Sequence, residues 1–280
     1  MNSICLALHA ISSGSVDEPL VNKALSISES EFEDLIIQLL KAGFLFSELG
    51  DNTQQSAQPK CYITFDDGYC NSLNFLKLAE KYHIPFTYFL TGFNILNEIP
   101  FIWDIYDYYK LGPLSQFANF SHAYDKIEMQ DMRPLLKLSH KPLSLNDLEF
   151  LDKHELVSFA NHGFTHQSYV SGYESFIREE VNKGEDFLRN YQSYKNSEFA
   201  LPSGLHTKSA IKDLSCSYKR IYTIQGGYSD LTKSLVHRIS LVNPKYNIDL
   251  MGQIKRSLLI KTKAKRAVSN LINSYKFFNL

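Results

Sequence analysis

Several features that define other protein classes are missing from this sequence. No stretch approaches eighteen consecutive apolar residues, which argues against a membrane-spanning helix. The first residues, MNSICLALHAISSGS, have no basic start, so no signal peptide is expected. The 4 cysteines form no CxxC pair, which argues against a structural zinc knuckle or a disulfide framework and favours a reducing, cytoplasmic location. With 29 basic and 30 acidic residues, the net charge gives no reason to expect nucleic-acid binding.

Acidic residues are absent after Asp249, whereas seven basic residues follow it. Apolar residues are interleaved with them, which predicts a basic amphipathic tail over residues 250–280 behind a domain over 1–249. Such a tail could attach the protein peripherally to the anionic inner face of a membrane. The alternative is a terminal helix that packs against the domain.

Apolar runs alternate with helical patterns along the chain, which predicts an α/β fold. The predicted strands lie near residues 4–9, 61–65, 86–90, 156–160, 198–201, 220–225 and 235–242. The predicted helices lie near 29–42, 71–82 and 173–190, and the first begins with a capping box from Ser28 to Glu31. Residues 98–153 are rich in aromatic side chains and are interpreted as an insertion within a single domain.

Two adjacent carboxylates, Asp66 and Asp67, follow one of these apolar runs and precede Gly68. Burying both is costly unless they bind a cation or share a proton. Because the chain turns at the glycine, both can face a cleft, one as a metal ligand and the other as a general base. The alternative is that Asp67 caps the following helix.

Two histidines, His162 and His166, are spaced four residues apart after another predicted strand. Two imidazoles at this spacing can bind one metal ion, and the absence of a glutamate between them excludes the HExxH pattern of zinc proteases. With one aspartate they would form a site of two histidines and one carboxylate with open coordination positions. That arrangement is typical of a hydrolytic metal ion.

The two motifs together resemble those of the polysaccharide deacetylases, a family of carbohydrate esterases. TFDDGY at residues 64–69 is followed about a hundred residues later by HGFTH at 162–166. Further segments over about residues 4–245 occur in the order found in the family: Leu8–Ile11, the capped helix, 61–73, Pro85–Phe89 and Phe199–Gly204. The combination is specific, although each segment alone is not.

The resemblance implies a role for each matching residue. Asp66 would be the general base that accepts a proton from the attacking water. One divalent ion, usually zinc, would be held by Asp67, His162 and His166. The substrate groove would be lined by Pro202, Ser203 and Gly204, with the Ser203 amide helping to stabilise the oxyanion.

The chain departs from the family pattern at several positions. Gly163 replaces a serine or threonine that supports the second motif, and Ala200 replaces an arginine that normally pairs with the base. The aspartate–tryptophan motif that tunes the catalytic acid has no match, since Trp103 is the only tryptophan. These departures leave open whether the site is fully active.

Two histidines are candidates for the general acid. Leu235-Val236-His237 matches the late Leu-x-His string of the family, so His237 is the first candidate, although Arg238 follows it. His206 is a second candidate. His9, at the end of the first predicted strand, is expected to line the mouth of the barrel.

The expected fold is a distorted α/β barrel of about seven parallel strands, and both motifs are expected at its C-terminal mouth. The expected function is metal-dependent removal of an N-acetyl group from an amino sugar of a polysaccharide or its lipid-linked precursor. The alternatives are a deformylase of a lipid-linked formamido sugar, a catalytically inactive glycan-binding homologue, and a structural partner of a glycosyltransferase.

Overall fold

A parallel sheet forms the centre of the molecule. The computed structural model describes residues 3–13, 23–50, 58–111, 141–170 and 174–259, together with 124, 127, 132 and 134–137. Within these residues the strands are β1 (Ile4–Leu8), β2 (Ala10–Ser12), β3 (Ser26–Ser28), β4 (Leu45–Phe46), β5 (Lys60–Asp67), β6 (Phe86–Leu90), β7 (Val157–Asn161), β8 (Tyr194–Ala200), β9 (Arg220–Thr223), β10 (Leu235–His237) and β11 (Ile239–Ser240). Two of them, β2 and β3, form a separate parallel pair.

The main sheet closes into a barrel through a single segment of chain. Its strand order is β10-β9-β8-β7-β6-β5-β1-β11, with β4 paired to the start of β5. The two end strands, β10 and β11, are halves of the segment Leu235–Ser240, broken at Arg238. The first half pairs with β9 and the second with β1, so the segment occupies one position in a ring of seven. The predicted barrel of about seven parallel strands is confirmed.

Side chains alternate between the barrel interior and its outer face, as the pleat requires. Each of the seven strand positions contributes one apolar residue to a common interior layer. These residues are Cys5, Tyr62, Phe89, Ala160, Ala200, Tyr222 and Val236. Their sequence neighbours, such as Ile63 and Phe65, belong to the larger core between the sheet and the helices. The alternation of side chains along each strand therefore determines which of them can reach the interior.

Helices cover the outside of this barrel. They are α1 (Glu29–Lys41), α2 (Phe75–Tyr82), α3 (Gly92–Asn97), α4 (Ile102–Tyr109), α5 (Leu145–Leu151), α6 (Glu174–Leu188), α7 (Lys208–Leu214) and α8 (Leu250–Leu259). The predicted capping box is confirmed: Ser28 Oγ accepts from the Glu31 amide at 3.3 Å, and the Glu31 carboxylate accepts from the Ser28 amide at 3.1 Å. Phe32 of α1 and Phe75 of α2 then pack edge to face in the outer core.

The beginning of the predicted tail forms α8 and packs on the body. Leu250 and Ile254 are buried in the same core cluster as residues of α1, whereas Leu259 at the end of the helix is 72% exposed. The alternative of a packed helix therefore holds for residues 250–259. Residues 260–280 lie outside the described part of the chain, so membrane attachment and the boundary at residue 249 stay predictions. No helix of the described part is long and apolar enough to cross a membrane.

All strands of the ring run in one direction, so their C-terminal ends meet at one mouth. Asp66 and Asp67 end β5, and His162 directly follows β7. The segment Pro202–Gly204 lies just beyond β8, and His9 directly follows β1. The topology therefore brings these residues together at the C-terminal end of the barrel, which is where active sites of such folds form.

Candidate functional site

The turn after β5 brings two consecutive carboxylates into the same mouth. Tyr62 points into the interior, so Asp66, four residues later on the same strand, does so too. Asp67 would ordinarily face outward, but its φ of 72° is left-handed and reverses the chain. Aspartate tolerates this region better than most residues. The next residue is glycine, and its φ of 96° is a conformation that other residues rarely adopt.

The two histidines reach the same point from the loop after β7. Nδ1 of His162 lies 2.9 Å from the carbonyl oxygen of Ala200. A carbonyl can only accept, so Nδ1 carries the proton and Nε2 presents its lone pair. His166 has a left-handed φ of 62°, which turns its ring back toward His162, with the ring centroids 5.0 Å apart.

Three buried side chains form a cluster that fits a divalent metal ion. One ligand atom from each of Asp67, His162 and His166 lies within 4.8 Å of the others. Asp67 Oδ1 is 3.3 Å from His166 Nε2 and 3.5 Å from His162 Nε2, yet it is buried and has no hydrogen-bond partner among the described residues. Two ligands of a tetrahedral zinc ion lie about 3.4 Å apart, given metal–ligand bonds of about 2.1 Å. The donor types and their spacing therefore fit a divalent metal ion.

The charge states of Asp67 and His166 suit metal binding. Burial disfavours the ionised form of Asp67, but the neighbouring His166 and His162 outweigh burial and lower its pKa to about 2. Burial dominates for His166 and lowers its pKa to about 4. At neutral pH the aspartate is therefore anionic and His166 is neutral, and these are the forms that bind a metal ion.

Helix α6 supplies the support for the histidine loop. Glu180 accepts hydrogen bonds from the amides of Phe164 and Thr165 at 3.0 and 2.8 Å and from the Thr165 hydroxyl at 2.8 Å. The amide of Gly163 donates to Asn161 Oδ1 at 2.8 Å. The expectation that Gly163 costs the loop a supporting hydrogen bond is therefore corrected, because Glu180 holds the loop from another element.

The base candidate is held by an arginine that the motifs did not identify. Arg238 Nη1 and Nη2 donate to the two oxygens of Asp66 at 2.6 and 2.7 Å, and both side chains are buried. Nη1 also donates to Thr64 at 3.0 Å. The family's arginine is absent at Ala200, but the Arg238 guanidinium reaches the same carboxylate from a segment that β1 alone separates from β5. The loss of the base's partner, inferred from the sequence, is thus corrected.

This ion pair determines the charge of the base. Burial opposes ionisation of Asp66, but the Arg238 guanidinium, followed by His162, outweighs burial and holds the pKa of Asp66 below its usual value. Its Oδ2 lies 3.8 Å from His162 Nε2. Asp66 is therefore an ionised carboxylate directly beside the three metal-ligand candidates.

The structure does not bring His237 to the cluster. Val236 belongs to the interior layer and Arg238 reaches Asp66 inside the barrel, so His237 between them faces the outer side of its strand. Its Nδ1 lies 3.4 Å from the hydroxyl of Thr223. The interpretation of His237 as the acid came from a sequence string, which does not reveal which side of the strand each residue occupies.

A different histidine faces the site. His9 follows β1 at the mouth, as expected, and its imidazole lowers the pKa of Asp66, Asp67 and His166 as one of the lesser influences on each. His9 Nδ1 is buried and has no hydrogen-bond partner among the described residues. His206, the second candidate acid, instead places Nδ1 3.0 Å from the Gly204 carbonyl oxygen.

The predicted groove segment lies against the histidine loop. Pro202 Cγ is 3.7 Å from the position a Cβ would take on Gly163, next to His162. Ser203 and Gly204 both have left-handed φ values, 56° and 65°, which bend the chain sharply after β8. Pro202 therefore lies beside the histidine loop, and the assignment of Pro202, Ser203 and Gly204 to a substrate groove stays a prediction.

Comparisons with known proteins identify the family. Residues 53–217, more than half of the chain, match the family profile described as Polysaccharide deacetylase. The chain therefore belongs to the polysaccharide deacetylase family. No curated protein matches the sequence.

Solved structures show the same fold at low sequence identity. The chain superposes on IcaB from Ammonifex degensii with a TM-score of 0.64 and 15% identity, over 91% of this chain and 97% of that one. Streptococcus pyogenes deacetylase PplD in complex with acetate gives 0.63 and 16%, over 92% and 98%. A de-N-acetylase from Aggregatibacter actinomycetemcomitans gives 0.63 and 12%, over 90% and 99%. At these identities the likeness supports the fold alone.

The support given by Glu180 leads to a prediction about metal affinity. In Glu180→Ala the acceptor of the Phe164 and Thr165 amides and of the Thr165 hydroxyl is removed. Zinc affinity, measured by competition with a chelator, should fall roughly 10-fold or more. The matched control is Glu179→Ala on the same helix, which removes only an exposed pair with Lys183. Equal affinity in both variants would contradict the role of Glu180.

Proposed function

We propose that this protein is a metal-dependent hydrolase that removes an N-acetyl group from an amino sugar of a polysaccharide or its lipid-linked precursor. The observation that carries the proposal is the juxtaposition of an ionised carboxylate, Asp66, with the buried ligand set of Asp67, His162 and His166. Membership of the polysaccharide deacetylase family supports the same reaction class.

The ligand set and the base have separate tasks. A divalent ion bound by Asp67, His162 and His166 would polarise the amide carbonyl and lower the pKa of water. Asp66 accepts the proton of the attacking water, and Arg238 keeps the carboxylate ionised and oriented for that transfer. The His162 Nδ1 contact with the Ala200 carbonyl fixes the imidazole so that Nε2 faces the ligand cluster.

The leaving amine needs a proton when the C–N bond breaks. His9 is the side chain best placed to supply it, since it directly follows β1 at the mouth and its imidazole is close enough to influence the pKa of both aspartates. We assign the acid to His9 rather than to His237, which is bonded to Thr223 on the other side of its strand. The Ser203 amide, in the bend beyond β8, is the proposed additional donor to the oxyanion.

The acyl group is proposed to be acetyl rather than formyl. Acetate occupies the complex of the S. pyogenes deacetylase with the same fold, which favours acetyl over formyl. The deformylase alternative uses the same residues and differs only in the acid released. An inactive glycan-binding homologue is less favoured, because the base, its partner and all three ligands are present together.

Two isosteric substitutions separate the base from the ligands. Asp66→Asn should keep about one zinc per chain but lower acyl release by roughly 100-fold or more, because an amide cannot accept the water proton. Asp67→Asn should instead lose zinc, because the buried anionic ligand is gone.

The assay measures acetate and formate from a panel of acylated amino sugars, with and without added zinc, beside the metal content of each variant. Acetate release by the wild type supports the N-acetyl assignment, and formate release alone would favour the deformylase. If Asp66→Asn lost zinc as readily as Asp67→Asn, the division of tasks would be wrong.

The assignment of the acid predicts a contrast between two histidines. His9→Gln should lower kcat roughly 100-fold, since the leaving amine then lacks its proton donor. His237→Gln, on the outer side of its strand, should stay within a few-fold of the wild type. Steady-state kinetics on the same substrate measure both. A large loss in His237→Gln beside a small one in His9→Gln would reverse the assignment.

A further inference from the structure

A tryptophan from the aromatic-rich insertion lies against one of the metal-ligand candidates. Trp103, on α4, has its ring 4.5 Å from the ring of His166, with the planes at 52°. The only tryptophan of the chain thus lies at the site, although no family motif places it there. Its position next to a ligand raises the question of what fixes the indole.

A chain of buried hydrogen bonds fixes the indole from behind. Trp103 Nε1 donates to the Tyr69 hydroxyl at 2.6 Å, and that hydroxyl donates to Asp104 Oδ2 at 2.9 Å. Tyr69 and Asp104 are each 1% exposed. Tyr69 lies two residues after Asp67, so the chain of bonds joins the loop of one ligand to the ring beside another.

Aromatic packing holds the same ring from one side. Phe101 stacks on Trp103 with the centroids 5.1 Å apart and the planes at 17°. The ring of Phe101 is also 4.3 Å from that of Tyr69. Because one face of the indole is covered by Phe101 and the ring contacts His166, these contacts favour a support for the ligand over a stacking platform for a sugar ring.

We infer that Trp103, held by Tyr69 and Asp104, is a positioning residue that fixes the His166 ring in its metal-binding orientation. The inference deepens the proposed function and rests on it, because it concerns the proposed metal ligand. Such support from outside the ligand set is what gives a metal site its affinity, since an imidazole that can rotate must be ordered when the ion binds.

Because the chain has one tryptophan, fluorescence reports directly on this contact. Cobalt(II), which quenches nearby tryptophan emission, should quench Trp103 in the metal-free protein and saturate at one ion per chain. Zinc should displace the cobalt and restore emission, which yields the zinc dissociation constant. Saturable zinc binding that leaves cobalt quenching unaffected would place Trp103 away from the metal and overturn the inference.

Two pairs of variants separate positioning from general stability. Tyr69→Phe removes the link between indole and carboxylate and should weaken zinc binding roughly 10- to 100-fold. Tyr88→Phe is its control, since Tyr88 is equally buried and its hydroxyl contacts Ser72 in the core. Asp104→Ala should weaken zinc binding similarly, whereas Asp104→Asn, which keeps an oxygen acceptor, should restore most of the affinity.

The outcomes distinguish this inference from the proposed function. If melting temperatures fall in Tyr69→Phe and Tyr88→Phe alike while both bind zinc as tightly as the wild type, Tyr69 is merely structural and the inference is wrong. If the wild type binds zinc and releases acetate in that case, the proposed function stands. If the wild type binds no divalent ion, the proposed function fails and the inference fails with it.

Discussion

The site depends on the buried ion pair between Arg238 and Asp66. An uncompensated carboxylate in the barrel interior would become protonated, and a protonated carboxyl cannot act as a base. The bidentate guanidinium keeps it anionic and fixes both of its oxygens. The two residues are 172 positions apart in the chain, yet only β1 separates their strands in the ring. The same segment, Leu235–Ser240, closes the barrel. One segment therefore both completes the fold and keeps the base ionised.

A second buried ion pair shows the same way of compensating a buried charge. Arg220 donates to Glu198 through Nε and Nη2, and the Tyr222 hydroxyl donates to the same carboxylate at 2.6 Å. Tyr222 also belongs to the apolar interior layer. The Asp66 pair differs in one respect: its carboxylate lies beside a cluster of metal-ligand candidates, whereas Glu198 has only structural partners in the described residues.

Local patterns predicted much of this architecture. The capping box, the strand before Asp66 and the strand before His162 are encoded by neighbouring residues, so periodicity and turn chemistry were sufficient. The three ligands were predictable for the same reason, because each motif carries its own donors next to its own strand end.

The residues that support the site could not be predicted. Their partners lie far away in sequence, or their direction depends on which face of a strand they occupy. Glu180 reaches the histidine loop from a helix, and nothing near Gly163 indicates it. Arg238 and His237 are neighbours, and only the interior position of Val236 reveals that the arginine faces inward. The same holds for Trp103, whose approach to His166 depends on the path of the insertion rather than on any motif.

The pH dependence of kcat/KM in Arg238→Met tests the account most directly, with Arg220→Met as the matched loss of a buried guanidinium. Without Arg238, burial dominates and the pKa of Asp66 rises, so the acidic limb of the profile should move to higher pH while zinc content stays near one per chain. Arg238→Lys, which keeps a cation, should move the limb less and guards against simple unfolding. Arg220→Met should lower stability and leave the limb in place. An acidic limb that stays in place in Arg238→Met, or moves equally in Arg220→Met, would contradict the claim that Arg238 sets the charge of the base.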